Sequence, residues 1–277
     1  MYRRKRVLRH FALTMIALTA ALPAMVLGQE TRPADPGEPA LTTLTTRVWT
    51  CPRHQQFRMR TSGVCPLCER RLVQEKVTIQ GPDQLGDPYP LKSCPVSGLT
   101  LGSMGEPMVM IHDGREVRFC TKDCIREFQS DVKGYLQKIN DQIIKQQLAS
   151  YPMTTCPVSG EALDSMGGPV DHVSGNRLVR FCCKGCRRLF KKDPAPFLAT
   201  LDAAVLAQQT DGYPLKKCPI SGLKLGAMGE PIDYVIANRL VRFCCAGCAG
   251  GFWKAPATHL EKLDKAWRKA GDHDHGR

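Results

Sequence analysis

Tyr151-Pro-Met-Thr-Thr-Cys156-Pro-Val-Ser-Gly160 opens a stretch that closes on Asn176-Arg-Leu-Val-Arg-Phe-Cys-Cys183-Lys-Gly-Cys186, and the chain spells this pattern three times. The copies begin at Tyr89, Tyr151 and Tyr213, a period of 62 residues. Their first cysteines are Cys94, Cys156 and Cys218. Each is followed, with 25 residues between, by Cys120, Cys182 or Cys244, and four positions later by Cys124, Cys186 or Cys248. No gap is needed to align them. A period this regular marks a tandem array, and what recurs is the placement of thiols.

Working outward, the repeat divides a chain of 277 residues into modules of about 60 residues or fewer. Modules that small bury little apolar surface and commonly need a disulfide or a metal. Fourteen cysteines can supply either, while aromatic residues make up only 6% of the chain. The boundaries read from the sequence place the long repeats at 89–150, 151–212 and 213–270. A Pro-rich linker spans 29–46, a short Cys/His module 47–76, a second linker 77–88 and a His-containing tail 271–277.

Residues 1–28 read as a signal peptide or an N-terminal anchor. Arg3, Arg4, Lys5, Arg6 and Arg9 precede a stretch, Phe11 to Gln29, without a charged side chain, and Val26-Leu-Gly28 offers a small-residue cleavage site. The cysteines are therefore expected beyond the inner membrane, in a periplasmic or extracellular protein, with membrane contact only if the segment stays uncleaved. Five of the basic residues lie in this segment, so thirteen less five leaves +8 for the remainder. Export makes nucleic acid an unexpected partner, and the charge reads as a solvated surface.

In the short module, Cys51-Pro-Arg-His54 is followed after ten residues by Cys65-Pro-Leu-Cys68. Two close-spaced pairs of soft or borderline donors suit a tetrahedral ion. A disulfide between Cys65 and Cys68 is the competing reading. Within each long repeat, Cys-Pro-(Val/Ile)-Ser-Gly reads as a turn, and a hairpin follows, in the first copy Met108–Ile111 and Glu116–Phe119 around His112-Asp113-Gly114. After the last cysteine the pattern turns helical. Ile125, Phe128, Val132, Leu136, Ile139, Ile143 and Leu148 predict one amphipathic helix in the first copy, while Asp193-Pro194 predicts a helix restart in the second. The expected fold class is α+β: tandem small treble-clef-like modules, each a β-hairpin plus a helix, that bind metal.

Cysteines four apart at a helix start should share a face, where backbone N–H groups favour thiolate. The second and third copies add Cys183 and Cys245, giving four thiols each; the first has Thr121 there. Candidates for a fourth ligand in the first copy are His112, Asp123, Met104 or water. Structural disulfides remain an alternative, since exported cysteines usually oxidise. So do redox pairs at Cys183-Lys-Gly-Cys186 and Cys245-Ala-Gly-Cys248, though the flanking βαβ pattern of thioredoxin-like motifs is absent. Met104, Met166 and Met228 read first as packed turn residues and second as thioether ligands that would bias a site to copper(I). Arg118, Arg180 and Arg242 either offset thiolate charge or form a solvated strand face. His273-Asp-His275 reads as a terminus that could capture metal weakly.

Trp49-Thr-Cys51-Pro-Arg-His54 with Gly63-Val-Cys65-Pro-Leu-Cys68 resembles the short heavy-metal-binding domain found with copper and silver efflux pumps. The pattern departs from that family at Arg53, where the family has Met, and at Glu69-Arg70, where it has Gly-Met. The repeats, on Cys94…Cys120-x3-Cys124 and its two copies, resemble the YHS and TRASH-like heavy-metal trafficking and sensing domains. Val-Ser-Gly or Ile-Ser-Gly stands in place of the YHS tripeptide. The candidate zinc or copper(I) ligands, read from spacing, are Cys51, His54, Cys65, Cys68, Cys94, Cys120, Cys124, Cys156, Cys182, Cys183, Cys186, Cys218, Cys244, Cys245 and Cys248; the resemblances imply the same role at the aligned positions, which leave out Cys183 and Cys245. They also imply a metal efflux or trafficking protein as partner. The expectation is an exported, non-enzymatic protein that sequesters, buffers or hands on a metal ion. A structural-zinc scaffold and a thiol–disulfide oxidoreductase are the alternatives.

Overall fold

The computed structural model describes residues 44–54, 58–59, 62–79 and 87–274. The expected signal segment, most of the first linker and His275 lie outside these residues. Among the described residues no helix is long and apolar enough to cross a membrane.

The architecture is mixed α+β, assembled from small antiparallel sheets and short helices. The short module is a three-stranded sheet in the order β2-β1-β3, built from β1 (Leu44–Thr50), β2 (Arg58–Met59) and β3 (Val73–Ile79). The central β1 pairs with β3 from Leu44 opposite Ile79 to Thr50 opposite Val73, so the sheet runs past both expected limits of the module, 47 and 76. Val48, Cys51, Met59, Cys65 and Leu72 form its small core.

Each long repeat then forms a two-stranded hairpin followed by two helices. The first has β4 (Met108–His112), β5 (Arg115–Phe119), α1 (Lys122–Ser130) and α2 (Val132–Leu148). The second has β6 (Val170–Ser174), β7 (Arg177–Phe181), α3 (Lys184–Lys192) and α4 (Ala195–Gln209). The third has β8 (Ile232–Ile236), β9 (Arg239–Phe243), α5 (Ala246–Phe252) and α6 (Pro256–Asp274). The hairpins turn through left-handed residues: Asp113 and Gly114 in the first copy, Ala237 and Asn238 in the third, as tight two-residue turns require.

One expectation changes here. The first repeat does not carry a single amphipathic helix. Asp131 (φ −143°) leaves helical geometry, and its side chain accepts a hydrogen bond from Gly134 N at 2.9 Å, so a new helix is capped one residue after the old one ends. The apolar spacing is continuous through the break because both helices pack on one core, which includes Ile125, Phe128, Ile139 and Ile143. In the second repeat Pro194 marks the restart, as expected, with α4 beginning at Ala195.

Neighbouring repeats are joined by a buried asparagine at each hairpin tip. Asn176 of the second repeat donates from Nδ2 to the carbonyls of Asp87 (2.7 Å) and Glu116 (2.9 Å), and its Oδ1 accepts from Arg115 Nε at 2.9 Å. Its backbone N–H donates to Asp87 Oδ2, and its carbonyl accepts from Gln147 Nε2. The turn before it must be Gly175: φ is +57°, and a Cβ there would collide with the Asp87 carboxylate. Asn238 repeats the arrangement one step on, donating to Gln147 Oε1 and the Leu178 carbonyl, and accepting from Arg177 Nε and Gln209 Nε2. Each arginine also reaches the long helix of its own repeat, at Asn140, Asp202 and Asp264 for Arg115, Arg177 and Arg239.

The first repeat also meets the third. Arg118, 5% exposed, donates to the carbonyls of Trp253 (2.5 Å) and Lys254 (2.7 Å) just past α5, and is held by the fully buried Glu116 at 2.5 Å. Lys92 pairs with Glu261 of α6 at 2.6 Å. Replacing Asn238 by leucine keeps the branching of the side chain but removes the partner of Arg177 Nε, the donor to the Leu178 carbonyl and one of the two donors to Gln147 Oε1. That should lower stability to chemical denaturation by about 2–4 kcal/mol, whereas leucine at the exposed, uncoupled Gln208 should change it by less than about 0.5 kcal/mol.

Candidate metal centres

Four groups of Cys and His side chains have ligand atoms that lie within 4.8 Å of one another: Cys51, His54, Cys65 and Cys68; Cys94, Cys120 and Cys124; Cys156, Cys182 and Cys186; Cys218, Cys244 and Cys248. All fourteen cysteines are free thiols.

In the short module two Cys-Pro knuckles face each other. The turn after Cys65 closes by Glu69 N donating to the Cys65 carbonyl at 2.8 Å, with Cys65 N donating to the Arg70 carbonyl. His54 presents Nδ1, 3.7 Å from Cys51 Sγ and 3.5 Å from Cys65 Sγ, while Cys51 Sγ and Cys68 Sγ are 3.7 Å apart. A tetrahedral ion with metal–sulfur bonds of about 2.3 Å and a metal–nitrogen bond of about 2.0 Å has edges of about 3.8 Å (S···S) and about 3.5 Å (S···N). The cradle has those edges.

The three repeat clusters share one construction. The Cys-Pro turn at Cys94, Cys156 or Cys218 is closed by the glycine four residues on, whose N–H donates to the cysteine carbonyl at 2.9–3.0 Å. The second cysteine is the residue after the hairpin, and the third lies in the first turn of the following helix. Their Sγ atoms approach to 3.4 Å (Cys120–Cys124), 3.7 Å (Cys182–Cys186) and 3.6 Å (Cys244–Cys248). Cysteines four apart do meet, though not along a helix face as expected: Cys120, Cys182 and Cys244 precede the helix, and the strand-to-helix bend folds them back onto it.

Cys183 and Cys245 take a different place. Neither belongs to a mutually close group; each is the N-cap residue of α3 or α5 and is half-buried. Cys183 Sγ accepts from Cys186 N at 3.5 Å, as Thr121 Oγ1 accepts from Cys124 N at 3.4 Å in the first repeat. Thr121 therefore replaces a cap, and the first repeat has the same three-thiol set as the others.

A hydroxyl that the sequence reading passed over lies beside each cluster, hydrogen-bonded to one of its sulfurs. The hydroxyl oxygens of Ser97, Ser159 and Ser221 lie 3.1, 3.3 and 3.2 Å from the Sγ of Cys120, Cys182 and Cys244. Their threefold recurrence in Cys-Pro-x-Ser-Gly was the available signal. None of the side chains expected as a fourth ligand in the first repeat joins the cluster. His112 packs edge-on against Phe128, Asp123 pairs with Arg126, and Met104 is 62% exposed. Met166 and Met228 are equally exposed, so the expectation of packed turn methionines does not hold. Arg180 and Arg242 pair with Asp171 and Asp233 on their own hairpins and lie over Tyr151 and Tyr213.

The thiols of one cluster are not alike. Burial works to raise Cys94, but hydrogen bonds from the Ser97 hydroxyl and from the amides of Ser97, Cys120 and Val96 bring it down to about 7. The same balance brings Cys156 to about 7 and Cys218 to about 6. Burial and the adjacent thiols instead push Cys186 and Cys248 up to about 12. In the short module burial opposes the Arg53 and His54 amides and the His54 ring, which hold Cys51 at about 6, while burial drives Cys65 to about 11. The turn cysteine, not the helical one, is thus the readiest thiolate, because turn N–H groups point at its sulfur.

A cation must displace protons from the raised thiols. Since Cys186 and Cys248 hold theirs far above neutrality, binding at the second and third repeats releases at least one proton each, and affinity there should rise by at least about tenfold per unit between pH 7 and 9. Competition titrations with a chelator of known pH dependence would measure this. Exchanging the cap by Cys183→Thr should leave one ion bound in the second repeat and stability within about 0.5 kcal/mol, whereas Cys186→Ser should abolish binding there; cadmium charge-transfer absorption, read per repeat, separates the two. No family model, no curated protein and no solved structure matches this chain.

Proposed function

We propose that this is an exported heavy-metal-binding protein whose short Cys/His module and three treble-clef-like repeats sequester, buffer or hand on a soft or borderline ion, zinc or copper(I). The observation that carries the reading is the convergence of twelve of the fourteen cysteines, with His54, into four tight groups of ligand size. Thiolate-rich sites favour these ions. The resemblance to heavy-metal-binding, YHS and TRASH-like domains points the same way, and it suggests an efflux or trafficking protein as the recipient.

The donor sets divide the labour. A four-ligand site is closed, the usual form of a structural ion, while three thiols leave a coordination position for an exchanging ligand. The repeats are therefore the exchangeable sites. A structural scaffold would instead need every ion for folding, because the thiols lie within the cores of their modules. Anaerobic withdrawal of metal by a competing chelator, followed by circular dichroism, tests this. Three ions should leave with the helical signal retained; loss of helicity in step with every ion would favour the scaffold.

A second reading, thiol–disulfide exchange, draws on the half-buried Cys183 and Cys245 at helix N-termini, each lowered by the amide and thiol of the cysteine three residues on. It requires turnover of a disulfide substrate that Cys183→Ser and Cys245→Ser abolish. We expect none from the wild-type chain.

A further inference from the structure

The short module is docked on the first repeat at the two sets of ligands. Arg126, two residues after Cys124 on α1, donates from Nε to the Pro66 carbonyl at 3.2 Å and from Nη2 to Glu69 Oε1 at 3.1 Å, while Nη1 reaches Asp123. Pro66 and Glu69 belong to the knuckle that carries Cys65 and Cys68. Glu69 sits at φ +57°, a conformation that favours glycine; the residue with a carboxylate stands there, and that carboxylate meets Arg126.

One side chain packs on the apolar core around each set. Met108, at the start of β4, packs on the cluster holding Cys51, Cys65 and Cys68 and also on the cluster holding Cys94, Cys120 and Cys124. It pairs across the hairpin with Phe119, the residue before Cys120. The aligned residues of the other repeats, Val170 and Ile232, are apolar and lack sulfur. A thioether thus occurs at this position only in the repeat that faces another metal centre.

We propose that the short module and the first repeat act as one two-site unit, in which copper(I) passes between the Cys51/His54/Cys65/Cys68 site and the Cys94/Cys120/Cys124 site with the Met108 thioether as the intervening donor. The inference rests on the metal-binding reading above and adds to it a route. The step is ligand exchange without electron transfer: copper–sulfur bonds break at one site and form at the other. The vacated thiolates take up the protons that the newly bound thiols release. A thioether suits the middle of such a path because it binds copper(I) weakly, carries no proton and has little affinity for zinc.

The test is amide exchange spectroscopy on the full chain with one equivalent of copper(I), without oxygen. Cys65 and Cys120 serve as reporters of the two sites. Cross-peaks should connect free and bound signals of both sites at a rate independent of protein concentration. Met108→Leu, and Met108→Val as the second repeat has it, should slow that exchange by about tenfold or more. Met166→Leu, at an exposed turn methionine of the second repeat, should not. Binding at both sites with the same rate in wild type and Met108→Leu, or with no detectable exchange, would overturn the relay alone. Failure of copper(I) to bind either site would overturn the relay, and failure of zinc to bind as well would overturn the reading beneath it.

Discussion

The structure depends on holding three or four sulfur and nitrogen donors in mutual contact inside the small core of each module. Each repeat buries its thiols among two or three phenylalanines and a few aliphatic side chains, with Phe119 and Phe128 in edge contact at 5.2 Å in the first copy. Thiolates crowded in such a place repel one another and are poorly solvated. The protein answers by splitting the group: turn amides and a serine hydroxyl favour one thiolate, and burial keeps another protonated. A cation removes the conflict by neutralising all of them together, so the arrangement is complementary to the ion.

The same unit is used three times with different surroundings. The asparagine staples make the array directional, since each hairpin tip enters the repeat before it. The first repeat has no preceding copy and departs from the pattern accordingly. It has Glu116 where the others have Leu178 and Leu240, and this carboxylate holds Arg118 against the carbonyls after α5. On its other side it receives the short module through Arg126 and Met108. Its difference at Thr121, by contrast, changes only the atom that caps a helix.

Much of this was legible in the sequence because the informative features were periodic. The 62-residue repeat located the hairpins and nine of the twelve clustered cysteines, close Cys/His spacing located the other three, and Pro194 marked a helix restart. What escaped detection depended on contacts between distant segments. Nothing local distinguishes Cys183 from Cys182, yet one caps a helix and the other faces the cluster, because the strand-to-helix bend rotates successive residues apart. The break at Asp131 was hidden by apolar spacing that continues across it. The methionines of the Met-Gly-x-Pro turns read as packed, but each sits in a turn with a positive-φ glycine directly after it and is exposed. Ser97, Ser159 and Ser221 were in view as part of a turn and gained meaning only beside sulfur.

Native mass spectrometry of the mature chain, purified without oxygen, tests the central claim most directly, since it counts ions and disulfides in one spectrum. The account predicts up to four bound ions, with the apo-protein mass of a fully reduced chain after acid removal of metal. A metal-free chain lighter by about two hydrogens for each pair of cysteines would mean that the thiols form a disulfide frame, and would contradict it.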